Sequence, residues 1–481
     1  MSTTITPAST STAAFIGNTS IASSGNSSLL NIPFAINSMQ EFEQYFGTAP
    51  HKTFAIAPAT AAQISDFDFG GTNYALTQET GFYYLHSSMR YFFANGGSAC
   101  YIVSTGTFDS PVTIEALQNG IDELASVPDA ALLVVPDAMN LQPADAYALQ
   151  QYMLDHCGKT MSCFALLDIY EGWSKPGPDG TFLAVNNFRS NVNSVTPEFG
   201  AAYFPWLNAT VVTSSEVTYK NISNPDLLVS LLTAEVTEMG FSPEETDQRM
   251  NFINEILPGT ADPISLDNSL RSFTEIYETI ITAVLGKINL LPPSSALAGL
   301  FTVVDQSQGV WFAPANITVN ATAFPSVKID DTSQEDLNVP ADGKAVNAIR
   351  MLGNLGIKVW GARTLNGNSD DWRYINVKRT IIMIEQSIKS ALQVFAFSAN
   401  DSATWSAVSS SINSFLTAQW TAGALIGPSA ASAFSVSVGL GTTMTGEDII
   451  NGIMRVVVKI AITHPAEFLV LEFEQQMAET T

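Results

Sequence analysis

The amino-acid sequence predicts a mixed α/β protein built from more than one domain. The chain has 481 residues, which exceeds the size that one hydrophobic core normally supports. Hydrophobic residues make up 46% of it, enough to bury a core in each domain. Between Gly81 and Ile169, short apolar runs alternate with segments of helical periodicity. This alternation is typical of an α/β domain.

The N-terminal segment predicts an arm that leads into this region. Residues 1–28 are rich in Ser, Thr and Ala, and within them Ala13–Ile16 predicts one short strand. Met39–Phe46 has the apolar spacing of a helix and is followed by Gly47. Gly81–Asn95 predicts a second helix. Its apolar face is formed by Phe82, Leu85, Met89, Phe92 and Phe93.

The middle of the chain predicts the α/β unit and a helical insertion. The alternating elements are the strands Cys100–Val103, Ala131–Val135 and Cys163–Ile169 and the helices Ile114–Ala125 and Ala144–His156. From about residue 207 to 290 the pattern becomes mainly helical. The helices predicted there are Pro225–Met239, Pro243–Ile256 and Leu270–Leu285. We interpret 207–290 as an embellishment of the α/β domain.

The last 140 or so residues predict a second unit. An acidic run that contains Ser, Thr and Pro, Val327–Pro340, marks its beginning. The predicted elements are a strand at Ile357–Ala362, a long helix within Trp372–Phe397, a helix at Ser402–Ala418 and a terminal strand at Glu467–Glu474. Glu447–Ile462 fits either a helix or a strand.

The charge distribution points to protein partners. The formal net charge is −25, which argues against nucleic acid or an anionic membrane as a partner because both would repel this surface. Residues 1–329 carry 10 basic and 30 acidic side chains, whereas residues 344–389 carry 8 basic and 3 acidic ones. This basic window indicates either a surface for an acidic protein neighbour or a chance cluster on a solvated face.

The sequence offers little support for catalysis or for a cofactor. The four histidines, His51, His86, His156 and His464, lie in no metal or triad motif. Cys100, Cys157 and Cys163 form no disulfide framework, and no phosphate-binding loop is present. There is also no signal peptide and no apolar run of about 20 residues. We therefore expect a protein assembled in the cytoplasm, without enzymatic activity, metal or cofactor.

Several segments occur in an order that resembles the contractile tail sheath proteins of phage tails and of phage-tail-like injection systems. The segments are Ile36–Gly47, Ser88–Gly97, Cys100–Val103, Leu133–Asp137, Asn187–Asn191, Tyr203–Trp206, Pro292–Gly299, Gly309–Asn316, Ala345–Leu365 and Pro465–Met477. The resemblance runs from about Ala13 to the C-terminus and is weakest over 207–290. No single segment is decisive, but their ordered occurrence is specific.

The resemblance implies an inner domain and an outer domain. Residues 1–28 would supply an N-terminal arm and the first strand of the inner domain, and 29–326 an outer α/β domain. Residues 327–464 would form the inner sheath domain, and 465–481 a C-terminal strand or arm. Hexameric rings would stack helically around an inner tube, with baseplate and terminal cap proteins as further partners.

In this family, terminal arms add strands to the sheets of neighbouring subunits. The resemblance assigns this exchange to Thr3 and Ile5 at one end and, at the other, to Phe468, Leu469, Val470, Leu471 and Phe473. The N-terminal arm lacks the Pro-Gly-Val-Tyr type of strand that is common in the family. Lys378, Arg379 and Lys389 of the basic window are predicted to contact the inner tube.

Three functions follow from these observations. The first is a sheath subunit that contracts without nucleotide hydrolysis and drives the tube through a target envelope. The second is a non-contracting sheath-like paralogue at a collar or next to the baseplate, which the short N-terminal arm suggests. The third is an acidic α/β enzyme.

Overall fold

The computed structural model describes residues 4–61 and 63–467. They form two compact units, of which the larger contains residues 9–307 and 314–373. The smaller unit contains, among the described residues, 4–8, 308–313 and 374–467. The mixed α/β class predicted from the sequence is confirmed. Among the helices in these described ranges, none is both long and apolar enough to cross a membrane.

The elements of the larger unit are numbered in chain order. Its strands are β1 (Ala13–Thr19), β2 (Ser23–Ser24), β3 (Ser27–Ser28), β4 (Phe34–Ile36), β5 (Thr53–Pro58), β6 (Phe67–Phe69), β7 (Thr72–Thr80), β8 (Cys100–Thr107), β9 (Leu132–Val134), β10 (Phe164–Asp168), β11 (Gly200–Phe204), β12 (Leu207–Ala209), β13 (Leu290–Leu291), β14 (Thr322–Pro325), β15 (Val346–Met351) and β16 (Ile357–Trp360). Its helices are α1 (Met39–Phe46), α2 (Leu85–Ala94), α3 (Ile114–Asp122), α4 (Pro143–Thr160), α5 (Leu183–Asn191), α6 (Pro225–Glu238), α7 (Pro243–Asn254), α8 (Pro263–Arg271), α9 (Glu275–Ile288), α10 (Ser294–Ser307) and α11 (Asp331–Asn338).

An eight-stranded sheet in the order β16-β15-β11-β10-β9-β1-β8-β4 forms the centre of the larger unit. The six strands from β15 to β8 are parallel, and the two edge strands are antiparallel to their neighbours. Parallel strands that are covered on both faces consist of nearly continuous apolar runs. Every residue of β1, β9, β10 and β11 is buried, in agreement with this rule.

Helices cover this sheet with the apolar faces that the sequence predicts. Leu85, Met89 and Phe92 of α2 are buried, and the ring of Phe92 meets that of Phe15 on β1 edge to face, with 4.9 Å between centroids. Phe82, predicted on the same face, is 49% exposed because it lies before the first residue of the helix. The alternation of strands and helices thus correctly predicts the centre of the domain.

The helices of the embellishment pack with the small sheet of β5, β7 and β6. The core they share includes Phe54, Leu232 and Tyr277. The sequence predicts one helix from Leu270 to Leu285, and this prediction is wrong at its start. Helix α8 is a separate helix that begins with Asp262, whose carboxylate accepts a hydrogen bond from the Ser265 N–H, and with a proline at the first helical position.

The smaller unit contains α12 (Ile375–Leu392), α13 (Ser402–Thr421), α14 (Ala430–Ala433), β17 (Phe434–Val438), α15 (Gly446–Ile450) and β18 (Val456–Ile460). Its core contains Met383 of α12, Ile412 and Leu416 of α13, and Phe434 of β17. The segment 447–462, which the sequence leaves open, contains a short helix and a strand. The alternating apolar side chains of β18 pack towards the core, which favours the strand there.

The boundaries between the units differ from those predicted. Strand β1 was expected in a domain with the C-terminal unit, but it pairs with β8 and β9 in the large sheet. Strands β15 and β16 also belong to this sheet, so the C-terminal part of the smaller unit begins at Tyr374 and not near residue 327. The reason is the parallel pairing of β15 with β11, in which Val346 lies opposite Ala202. Local sequence cannot reveal a pairing over so great a separation.

Candidate functional site

The β17–β18 pair is the main candidate for contact with another chain. The strands are antiparallel, with Phe434 opposite Ile460 and Val438 opposite Val456. Among residues 4–61 and 63–467, neither strand has a second neighbour in a ladder. Each therefore has an outer edge whose backbone groups can pair with an added strand. The sequence analysis missed β17, although the alternation Phe434-Ser-Val-Ser-Val438 is a strand signal.

The N-terminal residues pack on their own chain. Ile5 is 7% exposed and belongs to the same core as Met383 and Leu416. The Ala8 N–H donates a hydrogen bond to Ser387 Oγ of α12 over 2.8 Å. Thr3, the other predicted exchange residue at this end, lies outside the described residues. Exchange through Ile5 would have to replace these contacts with equivalent ones on a neighbour.

The C-terminal segment is anchored at the start of α12. Glu467 accepts a hydrogen bond from Tyr374 Oη over 3.0 Å, and Asn376 Nδ2 donates to the Thr463 carbonyl over 3.1 Å. The predicted exchange residues Phe468, Leu469, Val470, Leu471 and Phe473 lie outside the described residues. The exchange that the sequence assigns to them stays a prediction.

Two of the three predicted tube-contact residues are buried. Lys378 is 6% exposed and Arg379 is 3% exposed, and both have polar or electrostatic partners within the chain. Residues 375–380 are buried on every side of the helix. In the single chain these two charges therefore face its own residues, and their contact with a tube stays a prediction. Lys389 is exposed, and its contact with a tube stays a prediction.

The other charges of the basic window lie in the larger unit and mostly have acidic or carbonyl partners. Arg350 pairs with Asp331 over 2.9 Å, and Arg373 pairs with Asp370. Lys344 Nζ donates to Asn193 Oδ1 over 2.7 Å. The window is thus divided between two units, and two of its charges pair with carboxylates within the chain.

Large apolar side chains are exposed on the smaller unit. Phe397 is fully exposed, and Ile450 is 86% exposed. Val394, Ile426, Leu440 and Val457 are exposed to a lesser extent. Such side chains are typical of surfaces that other proteins cover, provided that they are contiguous.

The described residues provide no arrangement for metal chemistry. Within 4–61 and 63–467, no group of three or more His, Cys, Asp or Glu side chains could hold a metal ion. The three cysteines are free and buried, with Cys157 Sγ and Cys163 Sγ 2.9 Å apart. Burial raises the pKa of the Cys157 thiol well above its usual value, which keeps it protonated and unreactive at neutral pH.

Two buried carboxylates follow adjacent parallel strands and hold the loops there. Asp137 follows β9 and accepts hydrogen bonds from the Asn18 and Tyr84 N–H groups over 2.9 and 2.6 Å. Asp168 ends β10 and accepts from the Ser294 N–H and hydroxyl over 2.8 and 2.6 Å. The sequence analysis did not single out these roles, although an Asp directly after a buried strand is a visible signal.

The stability contributed by Asp168 is expected to depend on pH. Burial raises the pKa of Asp168 to about 7, although the hydrogen bonds from Ser294 lower it. Between the ordinary carboxyl value and pH 7, the folded chain keeps a proton that the unfolded chain has lost. The stability from this proton is complete at low pH and is lost as the pH rises through 7.

The wild-type free energy of unfolding, relative to that of an Asp168→Asn variant, should therefore fall between about pH 5 and about pH 8. Denaturant unfolding of both proteins measures it, with the exposed Asp145→Asn as the control. A difference that is constant or increases with pH would contradict this assignment.

The comparisons with known proteins relate this chain to the sheath proteins of contractile tails. Residues 368–476 match the family described as Phage tail sheath C-terminal domain. No curated protein matches the chain. The resemblance predicted from the sequence is confirmed by this match and by the solved structures that share the fold.

Solved structures from two injection systems are similar to this chain. The chain is 24% identical to one in the contracted PVC sheath complex, an extracellular contractile injection system, with a TM-score of 0.60 over 99% of this chain and 95% of that one. It is 23% identical to one in the contracted helical sheath of the anti-feeding prophage, with a TM-score of 0.60 over 99% and 96%. It is also 23% identical to a chain of the anti-feeding prophage baseplate, with a TM-score of 0.62 over 99% of this chain and 96% of that one.

Proposed function

We propose that this chain is the structural subunit of a contractile sheath. The observation that carries the proposal is the β17–β18 pair, whose outer edges have no further strand among residues 4–61 and 63–467. This pair lies within residues 368–476, which match the tail sheath C-terminal domain. The PVC and anti-feeding prophage structures, which share the fold, are a sheath complex and a helical sheath. Function then lies in contacts between subunits, and the chain needs no enzymatic activity.

Strand exchange supplies the link between subunits. A strand formed by residues 468–474 would pair with an open edge of a neighbour's β17–β18 hairpin. Four to six backbone hydrogen bonds, at about 0.5–1.5 kcal/mol each, would contribute several kcal/mol per arm. The anchor of Glu467 on Tyr374 fixes the point where the arm leaves its own subunit.

The lattice would consist of six-membered rings stacked helically around a tube. Heterologous contacts, in which one patch of a subunit meets a different patch of the next, generate such open assemblies. The smaller unit would face the tube, and baseplate and cap proteins would bind at the ends of the lattice. Contraction would release free energy stored during assembly, because one lattice packing is more stable than the other.

Co-expression with the tube protein of the same particle tests this proposal. The chain is expected to sediment as long polymers that contain the tube protein. A chain that stays in the supernatant as a monomer, although it is folded, would contradict the proposal.

Reversal of the charge at Lys389 is expected to weaken assembly on the tube. A Lys389→Glu variant should sediment with the tube severalfold less well at low salt, since one exposed charge contributes up to about 1 kcal/mol. Lys389→Arg should retain assembly. Lys328→Glu, at an exposed position of the larger unit, is the matched control. Equal sedimentation of Lys389→Glu and wild type would remove Lys389 from the contact.

A non-contracting sheath-like paralogue is the second candidate. It is favoured by the N-terminal residues, because Ile5 is buried in the core of its own unit. An assembly with exchange at only the C-terminal end would have fewer links between rings. Fixed rings that never shorten would identify this function.

A further inference from the structure

Two buried cysteines of the larger unit lie side by side. Cys157 is in the last turn of α4, and Cys163 directly precedes β10. Both are free thiols, 0% and 4% exposed, and their Sγ atoms are 2.9 Å apart. This separation is shorter than an ordinary van der Waals contact between two sulfur atoms. The two thiols are therefore placed to react with each other.

Hydrogen bonds of the backbone hold both cysteines in this position. Met161 has a left-handed conformation, with φ at 53°, and its N–H donates to the Cys157 carbonyl over 2.8 Å at the end of α4. On the other side, the Phe164 N–H donates to the Ala131 carbonyl over 2.9 Å. This bond fixes the start of β10 and with it the adjacent Cys163. The proximity of the thiols thus follows from the fold of the α4–β10 connection.

The third cysteine is out of reach of this pair. Cys100 begins β8, and the strand register places it in one row with Ala13 of β1, Leu132 of β9 and Phe164 of β10. Three strand spacings of about 4.8 Å separate the ends of this row, about 14 Å in all. A disulfide needs Cα atoms roughly 4.4–6.8 Å apart. Cys163, the neighbour of Phe164, can therefore not pair with Cys100.

A small oxidant can approach the pair through the turn that follows α4. Met161 is 43% exposed and Ser162 is half-buried, so the turn next to Cys163 lies at the protein surface. Cys163 is also the more exposed of the two cysteines. Burial raises the pKa of the Cys157 thiol well above its usual value, which keeps this thiol protonated at neutral pH. The first reaction with an oxidant therefore falls to Cys163.

We propose that Cys157 and Cys163 form an oxidation site, at which hydrogen peroxide produces a disulfide within the chain. The Cys163 sulfur takes one oxygen of the peroxide and becomes a sulfenic acid, while the O–O bond breaks and one water leaves. The Cys157 sulfur then attacks the oxidised sulfur. The S–O bond breaks, and its oxygen leaves as a second water with the proton of Cys157. Two thiols are oxidised to one disulfide, and one peroxide is reduced to two waters.

The disulfide protects the larger unit from irreversible damage. A sulfenic acid without a nearby thiol is oxidised further to a sulfinic acid, which ordinary reductants do not reverse. Capture by Cys157 keeps Cys163 in a form that a thiol reductant restores. Both residues belong to the larger unit of one chain, so the reaction needs no contact between subunits. It is therefore independent of the proposed sheath function.

Mass spectrometry of the folded full-length chain, exposed to hydrogen peroxide and then alkylated, tests the proposal. The wild type should lose about 2 Da before alkylation and keep one of its three thiols. Trypsin cuts the denatured chain after Lys159, between Cys157 and Cys163, so that only a disulfide keeps the two peptides together. Dithiothreitol should restore all three thiols. Three thiols that persist in peroxide, or a disulfide that includes Cys100, would overturn the proposal.

Three alanine variants, with folding established by circular dichroism, assign the roles of the cysteines. Cys157→Ala should form no disulfide within the chain, and its Cys163 should gain oxygen instead. In Cys163→Ala, Cys157 should be oxidised at least about tenfold more slowly than Cys163 is in Cys157→Ala. Cys100→Ala is the matched control and should form the disulfide as the wild type does. Equal oxidation rates in the first two variants would overturn the order of the steps, and a control without the disulfide would overturn the pairing.

Discussion

A chain that lacks residues 468–481 is expected to fold normally and to form no long polymers. The deletion removes the predicted exchange strand, Phe468–Glu474, and keeps Glu467 with its hydrogen bond to Tyr374. Each subunit then loses the several kcal/mol that about five net hydrogen bonds and side-chain burial contribute. Because a helical lattice repeats this contact at every subunit, the loss is multiplied along the polymer.

Sedimentation and negative-stain electron microscopy measure this effect, with circular dichroism to establish folding. A chain that lacks only Thr480 and Thr481 is the matched control, since these residues follow the predicted strand. The control should form polymers of wild-type length. Long polymers from the 468–481 deletion would show that the lattice does not depend on this strand.

Asp137→Ala is expected to lower the free energy of unfolding by about 3–5 kcal/mol, since each buried donor left without an acceptor costs about 1–3 kcal/mol. The carboxylate accepts hydrogen bonds from the N–H groups of Asn18 and Tyr84 and from Asn140 Nδ2. Its removal leaves buried donors without an acceptor and removes the negative charge that raises the pKa of the Lys52 ammonium. Asn18 lies near the end of β1, so the lost hydrogen bond destabilises a strand inside the large sheet.

Denaturant unfolding of Asp137→Ala measures this loss, and Asp247→Ala is the control. Asp247 is an exposed aspartate on α7. The control should change the free energy of unfolding by less than about 0.5 kcal/mol. A loss of that small size in Asp137→Ala would mean that the carboxylate does not hold the loops together.

The sequence predicts those parts of the fold that local pattern determines. The apolar runs at Ala13–Ile16 and Ala131–Val135 are strands, because a strand buried on both faces needs such a run. The start of α8 was missed because a helical periodicity continues across the break at residues 272–274. The pairing of β15 with β11 could not be predicted, since neither segment alone contains a signal for the other.

The candidate site was predictable to a smaller extent. Charge clustering along the sequence suggested one basic surface, but Lys378 and Arg379 lie in a turn of α12 that is buried on all sides. A helix with an apolar stripe would expose such residues, and only tertiary packing shows that this turn has no exposed face.

The proposed function requires that copies of this chain form a lattice with two packings. Cryo-electron microscopy of the purified native particle tests it most directly. We expect striated tubes of two lengths, the shorter one wider, with a C-terminal strand of one subunit paired to the β17–β18 hairpin of another. Tubes of a single length, or a C-terminal strand paired to the hairpin of its own subunit, would contradict it.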